Sequence, residues 1–143
     1  MKRFIVGILF CLSLLLVVGF TARAASKDEV LAQINSARTS AGLQELVEDE
    51  TLDGVAAVRA SECSISFSHI RPSGDAWYTV GSTRGENLAH AVNANQSKAE
   101  NVVLAWLLSP KHKANVLRST FTSVGIAYYS DDDGDTYIVC EFN

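Results

Sequence analysis

Arg84-Gly85-Glu86-Asn87-Leu88-Ala89-His90 sets one carboxylate inside a small, apolar run, and whether it is read as a strand decides how the rest of the chain is organised. In a strand the side chains alternate, so Glu86, Leu88 and His90 share one face while Asn87 and Ala89 point the other way. A carboxylate and an imidazole then become near neighbours on one surface. The plainer alternative is a short edge strand with a solvated Glu86, and residues elsewhere must decide between the two.

Upstream, helical periodicity lapses from Ser64 to Arg84, where Pro72, Gly74 and Gly81 mark a long loop of the kind that is functional when ordered. Before the loop, a helix starting near Asp49 carries Leu52, Val55, Ala56, Arg59, Ala60 and Cys63 at helical spacing. Arg59 on that apolar stripe reads as a snorkelling or paired charge. Earlier still, Ser26-Lys27-Asp28-Glu29 is a capping box opening a helix with Val30, Leu31, Ile34 and Ala37 on one face, closed by Gly42.

Downstream, Ser97-Lys98-Ala99-Glu100 is a second capping box, and the helix it opens buries Val102, Val103, Trp106 and Leu107. Ser109-Pro110 restarts a helix through about Leu117, with Ser as N-cap and Pro at the first position. Two runs, Ser123 to Tyr129 and Thr136 to Phe142, flank Asp131-Asp132-Asp133-Gly134-Asp135 and predict a terminal hairpin. The acidic turn is not an EF-hand loop: with Gly134 sixth, the first ligand position falls on Tyr129. It is expected to be a solvated turn. The element order predicts an α+β fold, an antiparallel sheet with helices packed on it.

Lys2 and Arg3 precede an uncharged apolar run from Phe4 to Phe20, ending in Thr21-Ala22-Arg23-Ala24-Ala25. A basic start, an apolar core and an A-x-A site predict a signal peptide over residues 1–24, with an uncleaved anchor as the alternative. Residues 25–143 are expected to form one domain on the outer side of the membrane, secreted or held at the cell surface, with no transmembrane helix after cleavage. Beyond the leader, 9 basic face 16 acidic side chains, a net charge of −7. An acidic surface without a basic stripe argues against nucleic acid as a partner.

Cys11 falls in the leader, and Cys63 and Cys140 remain as an even pair in an oxidising compartment. They are expected to form a disulfide, which across a loop of about 77 residues contributes roughly 4 kcal/mol in the chain-entropy model. Two separate buried thiols are the other reading.

Three histidines, His69, His90 and His112, have none of the tight spacing of a zinc-protease helix. Singly, each reads as a surface or structural histidine. Together with their neighbours they say more. Ile34-Asn35, Arg38 and Gly42, then Leu52, Ala56, Arg59-Ala60 and Glu62, lead into Ser68-His69-x-Arg71-Pro72-x-Gly74 and Trp77. Gly85-Glu86-Asn87-Leu88-Ala89, Trp106, Ser109-Pro110-x-His112-x-Ala114-Asn115-x-Leu117, Phe121 and Val124-Gly125-Ile126 follow in order. In these residues the chain from about residue 27 to 143 resembles a bacterial domain of the CAP superfamily, also called the SCP domain (cysteine-rich secretory proteins, antigen 5, pathogenesis-related 1).

The resemblance implies an α-β-α sandwich with a three- or four-stranded antiparallel sheet between helix layers. It also implies a cleft where two histidines and acidic residues converge, holding zinc or another divalent cation in some members. The corresponding residues are His69 and His112 as ligands, with Glu86 as the acid and a further candidate ligand. The family's second acid, on the third helix, has no match, and Ser109 stands in its place. His90 inherits no role, and only its expected face beside Glu86 makes it a candidate for the cleft lining.

Neutral imidazoles bind borderline divalent metals, and two of them with open water positions give weak, exchangeable binding. The leading expectation is a non-enzymatic binding module taking a metal, a small and even lipid-like ligand, or an extracellular protein partner. The alternative is a metal-dependent hydrolase with Glu86 as general base. A third class is a surface-interaction domain using aromatics such as Trp77, Tyr78, Tyr128 and Tyr129. Cys63 on its helix stripe is expected to be inert, and no serine nucleophile elbow is present.

Overall fold

The computed structural model describes residues 26–143, so the expected signal peptide over residues 1–24 lies outside the described residues. Helix α1 spans Lys27–Ser40 and opens on the expected box: Glu29 N–H donates to Ser26 Oγ and the Glu29 carboxylate takes the Ser26 N–H. Gly42, at φ +74°, turns the chain out of that helix. A two-residue strand β1, Val47–Glu48, follows, and then α2, Glu50–Ile65, capped by the Asp49 carboxylate on the Thr51 and Leu52 amides. The long loop leads to β2, Gly85–Ala91, so the opening stretch is a strand. Helices α3, Ala99–Leu108, and α4, Pro110–Val116, precede the hairpin β3, Ser123–Ser130, and β4, Thr136–Phe142.

The four strands lie in the order β1-β3-β4-β2. β2 and β3 both run antiparallel to β4, as expected, but β1 is parallel to β3, so the sheet is mixed. The short β1 went unpredicted because two residues carry no alternation to read. Beyond its end the Asp53 carboxylate takes the Ile126 N–H at 2.8 Å, extending the β3 edge with a side chain. The second capping box does not form. α3 starts at Ala99 behind Lys98 with no side-chain cap, and Ser97 Oγ donates instead to the Ala94 carbonyl.

The sheet divides the core, giving an α-β-α sandwich. On one face Val124, Ile126, Ile138, Cys140 and Phe142 pack with Val30 and Ile34 of α1, Val102, Val103 and Trp106 of α3, and Val116 of α4. On the other, Leu88, Tyr137 and Val139 meet Ala56, Ala60 and Cys63 of α2. Gly125 sets how closely α2 sits on the sheet, since a Cβ there would lie 2.0 Å from the Leu52 carbonyl carbon.

This division corrects the disulfide expectation. Cys63 and Cys140 are both free and buried, and they belong to cores on opposite faces of the sheet. Because side chains alternate along β4, Cys140 points away from α2, and a bond to Cys63 would have to pass through the backbone of the sheet. Burial raises the Cys63 thiol to about 11 and the Cys140 thiol well above its usual range, so both are protonated packing groups.

Candidate functional site

The site begins with a charge buried on α2. Arg59 donates from Nε to Glu86 Oε2 at 2.7 Å and from Nη2 to Glu86 Oε1 at 3.3 Å, gripping the carboxylate from two nitrogens. Its Nη1 donates to Glu62 at 2.7 Å, and Nη2 also reaches the Ser68 carbonyl at 2.7 Å. Arg71 holds the far side of Glu62 at 2.7 Å and donates to Thr79 Oγ1. Arg71, Glu62, Arg59 and Glu86 thus form a ladder of alternating charge that pins the loop of residues 66–84 against α2. The paired-charge expectation for Arg59 holds.

That pinning places His69. Its Nδ1 donates to Glu86 Oε1 at 2.7 Å, which in the neutral ring leaves the Nε2 lone pair free. The loop backbone fixes the residue from the other side, where Trp77 N–H donates to the His69 carbonyl at 3.1 Å. The imidazole stays half-exposed although its carboxylate partner is buried.

His112 arrives from α4, which is fastened to β2 by two asparagines. Asn87 Nδ2 donates to the His112 carbonyl at 3.1 Å, while Asn115 Nδ2 donates to Asn87 Oδ1 at 3.0 Å and to the Glu86 carbonyl at 3.2 Å. Gly85 permits the approach, since a Cβ there would stand 2.9 Å from the Phe121 ring and 3.3 Å from Asn115 Oδ1. Asn115 follows His112 by three positions, so both project from one side of the helix. Burial, and then the charge of His69, lower the pKa of His112 and favour its neutral, metal-competent form.

A second buried carboxyl lies behind Glu86. Glu141 of β4 is its direct cross-strand partner and is fully buried on the same face. Thr83 Oγ1 donates to Glu141 Oε2 at 2.7 Å, while Oε1 meets no donor. Burial, then the neighbouring charge of Glu86, push the Glu141 carboxyl up to about 9, so it holds its proton. Burial opposes ionisation of Glu86 as well, but the bonds from His69 and Arg59 prevail and hold its carboxyl below the usual range.

His69, Glu86 and His112 line one open cleft of about 510 Å³ together with Trp77 and Asn115. Two of the expected lining residues lie elsewhere. His90 shares Glu86's face but sits near the other end of β2, where it bonds Asp135 of the hairpin turn at 2.7 Å and stacks on Tyr137. Ser109 is the N-cap of α4, and its carbonyl takes the Lys113 N–H. The acidic turn folds on itself, with Asp131 accepting the amides of Asp133 and Asp135.

Among the described residues no group of three or more His, Cys, Asp or Glu side chains is arranged to hold a metal ion. Glu86 is committed to Arg59 and His69, so the donors open to a cation are the two imidazoles, with Glu86 orienting one of them from behind. That set fits weak, exchangeable binding and not a closed site. The sequence reading missed Glu141. Its signal was the single charged residue in the otherwise apolar run Tyr137-Ile138-Val139-Cys140-Glu141-Phe142, which marks a central strand buried on both faces.

Comparison with known proteins agrees with this fold. YkwD, an uncharacterized protein of Bacillus subtilis (strain 168), is 32% identical over 114 residues, 73% of this chain, which itself spans only 43% of that protein's length. An outer surface protein from Borrelia burgdorferi has the same fold with TM-score 0.67 and 25% identity, over 81% of this chain and 92% of that one. An extracellular protein containing an SCP domain from Bacillus anthracis superposes with TM-score 0.64 at 20% identity, over 81% of this chain and 40% of that one. NaASP2, solved with Zn2+, gives TM-score 0.64 at 16% identity, over 85% of this chain and 82% of that one. The sequence model of the cysteine-rich secretory protein (CAP) family matches residues 31–142, nearly the whole described domain, and the chain belongs to that family.

Proposed function

We propose that this chain is a secreted CAP module that works by binding, with His69 and His112 offering two imidazole nitrogens to a divalent cation or to a small ligand or partner seated in the cleft. The observation that carries the reading is the state of Glu86. Its carboxylate is buried, gripped by Arg59 and bonded to His69. A general base must be reached by the attacking water and titrate near the working pH, whereas Glu86 is buried, accepts three hydrogen bonds and has its carboxyl held below the usual range. The hydrolase alternative loses its base for that reason. A cation bound here would supply a Lewis-acidic attachment point for an oxygen or nitrogen ligand, with water in its remaining positions.

Secretion is supported by the relatives described as outer-surface or extracellular proteins. Among the described residues no helix is long and apolar enough to cross a membrane. The zinc-bearing NaASP2 structure supports the choice of cation. Calorimetric titration of the mature domain with zinc is expected to give micromolar-or-weaker binding that vanishes in His69→Ala/His112→Ala. Equal heats for both proteins would reject the site. Metal-dependent turnover of casein or simple esters that is lost in Glu86→Gln would instead establish the hydrolase.

A further inference from the structure

The cleft has a feature that metal binding does not use. The chain beyond its leader carries a net charge of −7, yet the residues rimming this cleft include Arg84, Lys111 and Arg118 beside the two histidines. Glu86 is the one carboxylate among the lining residues, and its charge is matched by the buried Arg59. Among the described residues, none of Arg84, Lys111 and Arg118 has an ion-pair partner, whereas Lys27, Arg59 and Arg71 each do.

Two of these cations are also positioned. The guanidinium carbons of Arg84 and Arg118 lie 5.9 and 5.1 Å from the centroid of the same Phe121 ring. That ring is buried and stacks on Phe142 at 5.5 Å, so it is a fixed platform. Backbone bonds hold both arginines at their Cα atoms: Arg84 N–H donates to the Phe142 carbonyl, and the Arg118 carbonyl accepts from buried Arg38. Both guanidiniums are thus held near one ring with no carboxylate paired to either, and an anion bound at the cleft meets two cations.

We infer that the cleft is an oxyanion site for a phosphate-bearing ligand, with Arg84 and Arg118 as the planar donors, Lys111 as a mobile third cation, and Trp77 as an apolar wall for the rest of the molecule. Planar guanidinium forks match the oxygens of phosphate, and three permanent cations exceed what a single carboxylate would neutralise. The inference deepens the binding-module reading by naming a ligand class, and it rests on that reading for the cleft being a binding site. It needs no metal, because the arginines and the imidazoles are separate donor sets.

The test uses the mature domain freed of metal on a chelating resin, with intrinsic fluorescence as the readout. Trp77 lies in the cleft and Trp106 is buried, so a signal change that disappears in Trp77→Phe reports the cleft. The probes are inorganic phosphate, sodium chloride at matched ionic strength, and vesicles of phosphatidylglycerol or of phosphatidylcholine. Saturable binding of phosphate or of phosphatidylglycerol vesicles is expected, weakened at least tenfold in Arg84→Gln/Arg118→Gln and retained in His69→Ala/His112→Ala. Response to free phosphate identifies a soluble ligand, and response to the anionic vesicles alone identifies a lipid headgroup. Both arginines are exposed, so the double variant is expected to keep the wild-type melting temperature. The inference is overturned by no response to either phosphate probe, by equal affinity in the arginine variant, or by an equal response to chloride. Loss of zinc binding alone would defeat the metal reading and leave this one standing.

Discussion

Glu86 and Glu141 face each other across β2 and β4 as a buried pair of carboxyls, one ionised under Arg59 and His69 and the other holding a proton. The asymmetry comes from surroundings. Arg59 and His69 donate to Glu86, whereas Glu141 has only the Thr83 hydroxyl. Like charges so close cannot both ionise away from water, and the proton stays where no cation stabilises the anion.

Stability should therefore depend on pH through Glu141. Unfolded, its carboxyl loses its proton near 4.5, and folded near 9, so between those values the folded chain holds the extra proton and stability falls as pH rises. Glu141→Gln keeps the size of the side chain and an acceptor for Thr83, and has no proton to lose. Its melting temperature should match wild type near pH 4 and exceed it by about 4 °C or more at pH 8. A difference that stays constant across pH would show that Glu141 is ionised in the fold.

Arg59 holds two buried or half-buried carboxylates, so removing it alone leaves them uncompensated. Arg59→Met should cost about 3–5 kcal/mol in urea unfolding, and adding Glu86→Leu should recover part of that loss. Additive losses in the double variant would mean that the pair is not coupled.

Cys63 and Cys140 lie on opposite faces of the sheet, so reductant should not shift the melting temperature. Two thiols should be alkylated in denaturant and essentially none in the native protein. Non-reducing mass spectrometry showing the domain of residues 25–143 two hydrogens lighter would refute this.

Close approach of α2 to the sheet rests on Gly125. A methyl group there would collide with helix backbone, which has no rotamer to move, and Gly125→Ala should cost about 3 kcal/mol. Gly54→Ala, with open space around its Cβ position, is the control and should be neutral or stabilising by up to about 1 kcal/mol. Equal melting temperatures for Gly125→Ala and wild type would contradict the packing.

The helices, the hairpin, the strand at Glu86 and the convergence of His69, Glu86 and His112 were legible in the chain. Capping residues, period-two and helical spacing, and ordered family motifs are local signals, and each leaves its trace within a few residues. What the sequence by itself determined is thus the α+β architecture, the family and the two imidazoles. Glu86 was readable as an acid near them, but not as a carboxylate already committed to a buried arginine.

The rest depended on contacts between residues far apart in the chain. A two-residue β1 has no period, so its parallel pairing appears only when β3 lies beside it. Whether Cys63 reaches Cys140 depends on which face of β4 looks at α2, and parity along a strand says nothing of which helix covers which side. Arg84 and Arg118 become a pair only because both reach Phe121, and Glu141 becomes Glu86's partner only through strand register. Charge is long-ranged and a carboxyl's ionisation depends on every neighbour in three dimensions, so the tertiary structure alone decided which of these groups are charged, which are committed, and which are left for a ligand.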